Sequence, residues 1–278
     1  CGSSQTWVIE EPSPIEMSLD IFDYNGYEVS CSGAEDAIIN LTVFGGVPPY
    51  TYQWSNGAVT EDIEGVGVGT YSVTVTDENN CTLTEEFIIT GPEGEIVITE
   101  DLISNYNNFG VSCNGAENGF INVSVLGGTG EYTYSWTSDN GFTSSEEDIS
   151  NLIAGTYTLV VTDNNSQFND DCGSSQTWVI EEPSPIEITF ETSDYNGFGV
   201  SACSSENDGF INIDVSGGLG DYTYSWNSDN GFESSDQNID SLDFGFYTVI
   251  VSDENECTFV QTINLTQAEL LQTEVVVS

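Results

Sequence analysis

The sixteen residues Cys1–Glu16 (CGSSQTWVIEEPSPIE) recur letter for letter at Cys172–Glu187, and at the same offset DYNG at Asp23–Gly26 returns at Asp194–Gly197. Repetition at a fixed period confines a chain to small modules of one kind set side by side. A shorter period lies inside the long one. NGFINVSVLGGTGEYTYSWTSDNGF at Asn118–Phe142 matches DGFINIDVSGGLGDYTYSWNSDNGF at Asp208–Phe232, and Asp36–Ala58 is a more diverged copy. Three units follow, over 17–92, 93–187 and 188–267. Residues 1–16 are expected to be the last strand of a preceding domain. Residues 268–278 are expected to be the first strand of a following one, by analogy with Glu93–Thr99. Gly91-Pro92 and Pro183-Ser184-Pro185 supply turn chemistry at the boundaries. With neither Met nor a signal peptide ahead of Cys1, the start is expected to be internal to a longer or processed polypeptide.

Inside each unit the residues alternate. Ile39, Leu41 and Val43 are separated by Asn40 and Thr42, and Ile121, Val123, Val125 and Ile211, Ile213, Val215 follow the same period of two, the mark of half-buried strands. A Gly-Gly turn comes next (Gly45-Gly46, Gly127-Gly128, Gly217-Gly218), then a Tyr-x-Tyr-x-Trp strand, then Asn-Gly at Asn56, Asn140 and Asn230 as a tight-turn signal. The stretches Gly69–Asp77, Gly155–Asp163 and Gly245–Asp253 resemble the penultimate strand of immunoglobulin-type sandwiches, where a Tyr at the strand start caps a corner. A last strand directs Phe87 and Ile89, Trp178 and Ile180, or Ile263 and Leu265 to the core. The fold class expected is all-β: tandem immunoglobulin-like β-sandwiches in an elongated array. Core packing is the simplest account of all five tryptophans, Trp7, Trp54, Trp136, Trp178 and Trp226.

The charge balance removes several functions. The chain has 47 acidic residues and no Lys, Arg or His, where average usage would supply roughly 30 basic residues. Nucleic-acid binding needs cations to displace phosphate counterions, and anionic lipid headgroups would be repelled. No Lys is present to form a Schiff base or an isopeptide bond, and no His to act as a base near neutral pH. At 38% hydrophobic and 12% aromatic residues the chain can still bury a core, so it is no acidic disordered tail. No run of 18 apolar residues would span a membrane. Paired carboxylates hydrolyse glycosides only within one pocketed constellation, whereas these acids are scattered over repeated surfaces, so no catalytic residue is expected.

Seven cysteines without a CxxC pair point to disulfides and an oxidising, extracellular setting. Each unit has one Cys before its second hydrophobic strand and one after the Tyr-x-Val-x-Val strand. Pairing within units is therefore expected: Cys31–Cys81, Cys113–Cys172 and Cys203–Cys257. Such loops of about 50–60 residues would each contribute about 4 kcal/mol in the chain-entropy description. Cys1 is left over. Its partner is expected outside the fragment, with a free or intermolecular thiol as the alternative.

Two kinds of binding site are weighed against plainer readings. The acidic turns beginning at Asp77, Asp163 and Asp253 are oxygen-rich enough to be candidate Ca2+ ligands, but the same residues are those of a polar hairpin turn, and the turn is favoured. Loop aromatics Tyr24, Tyr195, Phe142 and Phe232, with Tyr27 and Phe198, are candidates for stacking on a ligand such as a glycan; packing at domain junctions is the preferred account. N-x-S/T sequons at Asn40, Asn80, Asn122, Asn164 and Asn264 are read as incidental.

The motifs Val111-Ser112-Cys113-Asn114-Gly115-Ala116, Gly127 to Trp136 and Ala154 to Asp163, with substituted copies in the other units, resemble the SprB repeat of very large Bacteroidetes cell-surface adhesins. Ser201-Ala202-Cys203 carries an insertion, and Pro48-Pro49 replaces the usual Gly. The resemblance implies a cell-surface filament exported by the type IX route and used for attachment or gliding. Its partners would be neighbouring repeats of the same filament and surface glycans or substrata. The total lack of basic residues departs from ordinary members. The function expected is a structural or adhesive stalk and not an enzyme. The alternatives are a self-assembling fibre subunit joined by strand exchange, or a carbohydrate- or calcium-binding module.

Overall fold

The computed structural model describes residues 2–24, 26–163, 172–201 and 207–267. Cys1, Cys203 and the expected strand at 268–278 lie outside the described residues. What is described is all-β: three sandwiches, each with its own apolar core.

The first sandwich contains β1 (Glu16–Ile21), β2 (Ala37–Phe44), β3 (Thr51–Trp54), β4 (Ile63–Val66), β5 (Gly69–Thr76) and β6 (Thr82–Ile89), in sheets β1-β2-β4 and β3-β5-β6. The second contains β7 (Val97–Ile103), β8 (Gly119–Leu126), β9 (Tyr132–Ser138), β10 (Thr143–Ser144), β11 (Ile149–Leu152), β12 (Gly155–Asp163) and β13 (Gly173–Ile180). Its sheets are β11-β8-β7 and β10-β9-β12-β13. The third repeats that plan with β14 (Glu187–Thr192), β15 (Gly209–Ser216), β16 (Thr223–Ser228), β17 (Glu233–Ser234), β18 (Ile239–Leu242), β19 (Gly245–Ser252) and β20 (Thr258–Leu265), in sheets β14-β15-β18 and β17-β16-β19-β20. This is the immunoglobulin type of sandwich, with the short extra strand paired to the third strand of the unit.

The alternation seen in the sequence becomes an inside and an outside. In β2, Ile39 and Leu41 are buried while Asn40 and Thr42 are exposed. Trp54, Trp136 and Trp226 fill the three cores, and each indole N–H reaches a backbone carbonyl, of Thr60 at 2.8 Å, Glu146 at 3.0 Å and Asp236 at 2.9 Å. Trp178 is buried beside Trp136 and donates to the Glu100 carboxylate at 2.8 Å. Trp7 does not follow the expectation of core packing: it is 78% exposed. Residues 2–15 form no strand, whereas the identical residues Gly173–Ile180 form β13 against β12. A strand needs a neighbouring strand for its N–H and C=O groups, and residues 2–15 pair with no strand among the described residues.

The corner tyrosines cap as the sequence suggested. The hydroxyls of Tyr71, Tyr157 and Tyr247 donate four residues back, to the carbonyls of Gly67 at 3.1 Å, Ile153 at 2.9 Å and Asp243 at 2.8 Å. In the second and third units an Asn side chain from the Asn-Gly turn donates to the same hydroxyl, Asn140 and Asn230 each at 3.0 Å. This ties the turn after the third strand to the corner before the penultimate one. Tyr157→Phe removes both bonds, and about 1 kcal/mol of stability should go with them. A urea midpoint lowered at constant m-value would register that loss.

Candidate functional site, the joint between repeats

Two loops meet at each joint. The first follows the opening strand of a unit and carries a Ser-Cys pair. Val29 and Val111 anchor it by full burial, and a turn is closed by Ala34 N–H on the Cys31 carbonyl at 3.1 Å and by Ala116 N–H on that of Cys113 at 3.0 Å. Asp36 and Asn118 hold the loop from behind, accepting from Ser30 N–H and Ser112 N–H at 3.1 Å each. The second loop carries Cys172 or Cys257, just ahead of the last strand of the next unit.

The structure overturns the pairing expected within units. Cys31 is bonded to Cys172 and Cys113 to Cys257, each with Cα atoms 5.6 Å apart, and Cys81 is an exposed free thiol. Neither Cys31–Cys81 nor Cys113–Cys172 forms, and Cys257 is already engaged, which excludes Cys203–Cys257. The reason is geometric. In the second unit five chain passes, β8 to β12, separate the first Cys from the second, and an odd number of passes ends at the opposite end of the sandwich. Strands of eight or nine residues span roughly 25–30 Å, several times the reach of a disulfide. The first Cys of one unit therefore meets the second Cys of the next.

The joint is also built from main-chain bonds. In the first linker, Thr90 accepts from Glu28 N–H at 3.2 Å and gives its N–H and hydroxyl to the Glu28 carboxylate at 2.7 and 2.6 Å. In the second, the Glu181 carbonyl accepts Gly110 N–H at 2.9 Å. The linker then rests on the Gly-Gly turn of the next unit, with Gly128 N–H on the Gly94 carbonyl at 3.1 Å and Gly218 N–H on that of Ser184 at 2.8 Å. The preceding glycines, Gly127 and Gly217, have φ of 89° and 78°, and a Cβ there would stand 2.0 and 1.9 Å from a linker carbonyl. Only glycine allows that approach. Between the second and third units the Asn255 side chain donates to the Ser112 carbonyl at 3.0 Å and accepts from Asn107 at 3.1 Å, and Asn114 donates to the Pro183 carbonyl at 3.2 Å.

The three calcium candidates are part of this scaffold. Asp77, Asp163 and Asp253 are buried, and the Asp77 and Asp253 carboxylates join the Cys-bearing turn to the Gly-Gly turn. Asp77 accepts Val47 N–H at 3.0 Å and Cys81 N–H at 2.8 Å. Asp163 accepts Thr129 N–H at 2.7 Å and the Thr129 hydroxyl. Asp253 accepts the N–H groups of Leu219, Asn255 and Cys257 at 2.9 Å each. Burial pushes the Asp77 carboxyl up, but the N–H donors of Cys81, Val47 and Asn79 and the Cys81 thiol outweigh it, and the net direction is down. No group of three potential ligands that could hold a metal ion occurs among the described residues.

The candidate ligand aromatics do not converge. Tyr24 is buried edge-on to Phe22 at 4.7 Å. Phe142 and Phe232 pack inside their own units against the corner tyrosines Tyr157 and Tyr247, at 5.6 and 5.7 Å, and so are not junction residues. Tyr195 is 39% exposed, with its hydroxyl on the Asp208 carbonyl at 3.1 Å. Small clefts of about 240 and 220 Å3 do lie at the two joints, lined by Cys31, Asp163 and Cys172 and by Cys113, Asp253 and Cys257.

Two measurements check this account. Non-reducing digestion with an acid-specific protease, trypsin having no site to cut, should yield linked peptides for Cys31–Cys172 and Cys113–Cys257 and an alkylated Cys81. Recovery of Cys31–Cys81 would refute it. In acid, a carboxyl whose value falls on folding contributes stability above its unfolded value, ordinarily 3.8, and loses it as pH drops through the lower folded one. The stability advantage of the chain over its Asp77→Asn variant should thus be constant near neutrality and shrink below about pH 4. Paired melts across pH would show this.

The SprB repeat family profile matches residues 28–59, 111–141 and 201–231. Each match runs from the Ser-Cys loop to the Asn-Gly turn of one sandwich. No curated protein matches at a significant level. Among solved structures the chain is similar to a Ca2+-stabilized adhesin that helps an Antarctic bacterium reach out and bind ice, at 13% identity over 93% of this chain and 75% of that one, TM-score 0.42. It is similar to the insect immune protein hemolin at 13% identity, 92% and 73% coverage, TM-score 0.31. A tetra-tandem repeat in the extending region of a large adhesion protein matches at 12%, 90% and 72%, with TM-score 0.24. With three profile matches, one in each sandwich, the chain carries three SprB repeats.

Proposed function

We propose that this chain is a load-bearing length of stalk in a large cell-surface adhesin, in which repeats set reach and the joints between them set stiffness. The observation that carries the reading is the joint itself. The far end of one sandwich is fixed to the near end of the next by a disulfide, by linker main-chain bonds and by the Gly-Gly turn. A hinge meant to swing freely would have none of these. Uniform negative charge supports the same reading: 47 acidic residues and no basic ones make neighbouring units repel, through a field screened beyond about 8–10 Å in saline media. No helix among the described residues is long and apolar enough to cross a membrane. The family supports export to the cell surface by the type IX route and a part in attachment or gliding. The same joints suit a spacer that holds a binding element away from the cell, with neighbouring repeats as its partners and glycans or substrata met at the adhesive end.

Solution scattering tests the stalk. A compact globule of 278 residues would have a radius of gyration of about 19 Å. Three sandwiches end to end, each roughly 35–40 Å long with its turns, should give about 30 Å or more. A value near that of the globule would overturn the proposal.

A further inference from the structure

Cys81 is the one described cysteine left out of a joint, and its surroundings are those of the two that are in one. Its N–H is held by the Asp77 carboxylate at 2.8 Å, as Cys257 N–H is held by Asp253 at 2.9 Å. Its carbonyl accepts Asp77 N–H at 3.0 Å, as the carbonyls of Cys172 and Cys257 accept those of Asp163 and Asp253 at 3.0 and 3.1 Å. The Asp77 carboxylate reaches on to Val47 N–H at 3.0 Å, as Asp163 reaches Thr129 and Asp253 reaches Leu219. Below it, Gly46 N–H bonds the Ser13 carbonyl at 2.8 Å, the counterpart of Gly218 on Ser184. Gly45 is as closely approached by Pro14 as Gly217 is by Pro185, a Cβ standing 2.0 and 1.9 Å from the respective carbonyls. What differs is the covering loop, since none lies over Cys81 among the described residues. Cys172 and Cys257 are 3% and 9% exposed beneath theirs, while Cys81 is open.

We propose that the face of the first sandwich around Cys81 is the receiving half of a repeat-to-repeat disulfide joint, and that its partner is the Ser-Cys loop of a preceding SprB repeat. The bond would form by thiol–disulfide exchange with a small disulfide oxidant. The two thiols give up two protons and two electrons, one S–S bond forms between the repeats, and the oxidant's S–S bond breaks to give two thiols. Cys31 cannot serve, because it lies at the opposite end of the same sandwich and is bonded to Cys172.

The exact duplication supplies the test. Because Cys1–Glu16 is identical to Cys172–Glu187, residues 93–171 placed ahead of Cys1 restore a whole preceding repeat with an unaltered junction. Under a glutathione redox buffer, Cys81 should be fully alkylated in the original chain and almost untouched in the extended one. An acid-specific digest should then link it to the added copy of Cys113. Changing that added residue, Cys113→Ser in the new repeat, should return Cys81 to full alkylation while Cys31–Cys172 and Cys113–Cys257 stay closed. An extended chain with both original bridges closed and Cys81 still alkylated, or linked to any other cysteine, would overturn the proposal. That result would leave the stalk reading in place, since it rests on the two joints already closed.

Discussion

A chain with 47 carboxylates and no Lys, Arg or His has no side-chain cation with which to neutralise a buried acid. Any carboxylate taken out of water must be satisfied by N–H and O–H donors, and several short charge-assisted bonds to main-chain N–H groups are the strongest solution available. That constraint explains the design of the joint. Asp77 and Asp253 each bridge two turns through such bonds, one of which holds the N–H of Cys81 or Cys257, and Asp163 is held by Thr129. Elsewhere the acids are a burden. At Tyr134, burial, followed by the charge and hydrogen bond of Glu147, pushes the phenol up to about 12. With electrostatics repulsive throughout, cohesion falls to apolar cores, the backbone ladder and covalent bonds.

The sandwich was legible because its signals are local. Period-two alternation placed Ile39 and Leu41 inside, Gly-Gly and Asn-Gly marked the turns, and the Tyr of Gly-x-Tyr marked the corner. The tryptophan rule succeeded where the residue stood in a strand with a neighbour and failed at Trp7, whose sequence is identical to that around Trp178. Strand formation at that sequence is a property of the pairing and not of the residues. The same distinction governs Phe142 and Phe232, which sit at a turn in the sequence but fold back onto their own corner tyrosines.

The disulfide pattern was misread for a different reason. Nearness in sequence and one Cys pair per unit suggest closure within the unit, yet the number of strands between the two cysteines decides which end each occupies. In the second and third units that parity is in the strand count: an opening strand, five further passes and a last strand put the first Cys at the far end and the second at the near end. What could not be read was the joint chemistry around the sulfurs, because Asn255 with Ser112 and Asn114 with Pro183 are contacts between residues about 70 to 140 positions apart that only the stacking of units creates.

Joining far end to near end also changes what tension can do to the chain. The two bridges interleave, since Cys113 lies between Cys31 and Cys172, and Cys172 lies between Cys113 and Cys257. Cys31 with Cys172 forms one covalent node and Cys113 with Cys257 the other, and three stretches of backbone connect them in parallel: 31–113, 113–172 and 172–257. Even if every strand were pulled apart, the shortest of the three, roughly 60 residues, would limit the separation of the nodes to about 200 Å; the single unbridged path would allow about 750–800 Å. Bridges within units would also hide length, but they would leave each linker as a lone covalent thread between independent loops. Here a linker lies inside a closed loop of backbone and disulfide, so load passing from one sandwich to the next has more than one covalent route. A chain with no basic side chain, whose units repel by charge, is thereby held against extension by covalent topology.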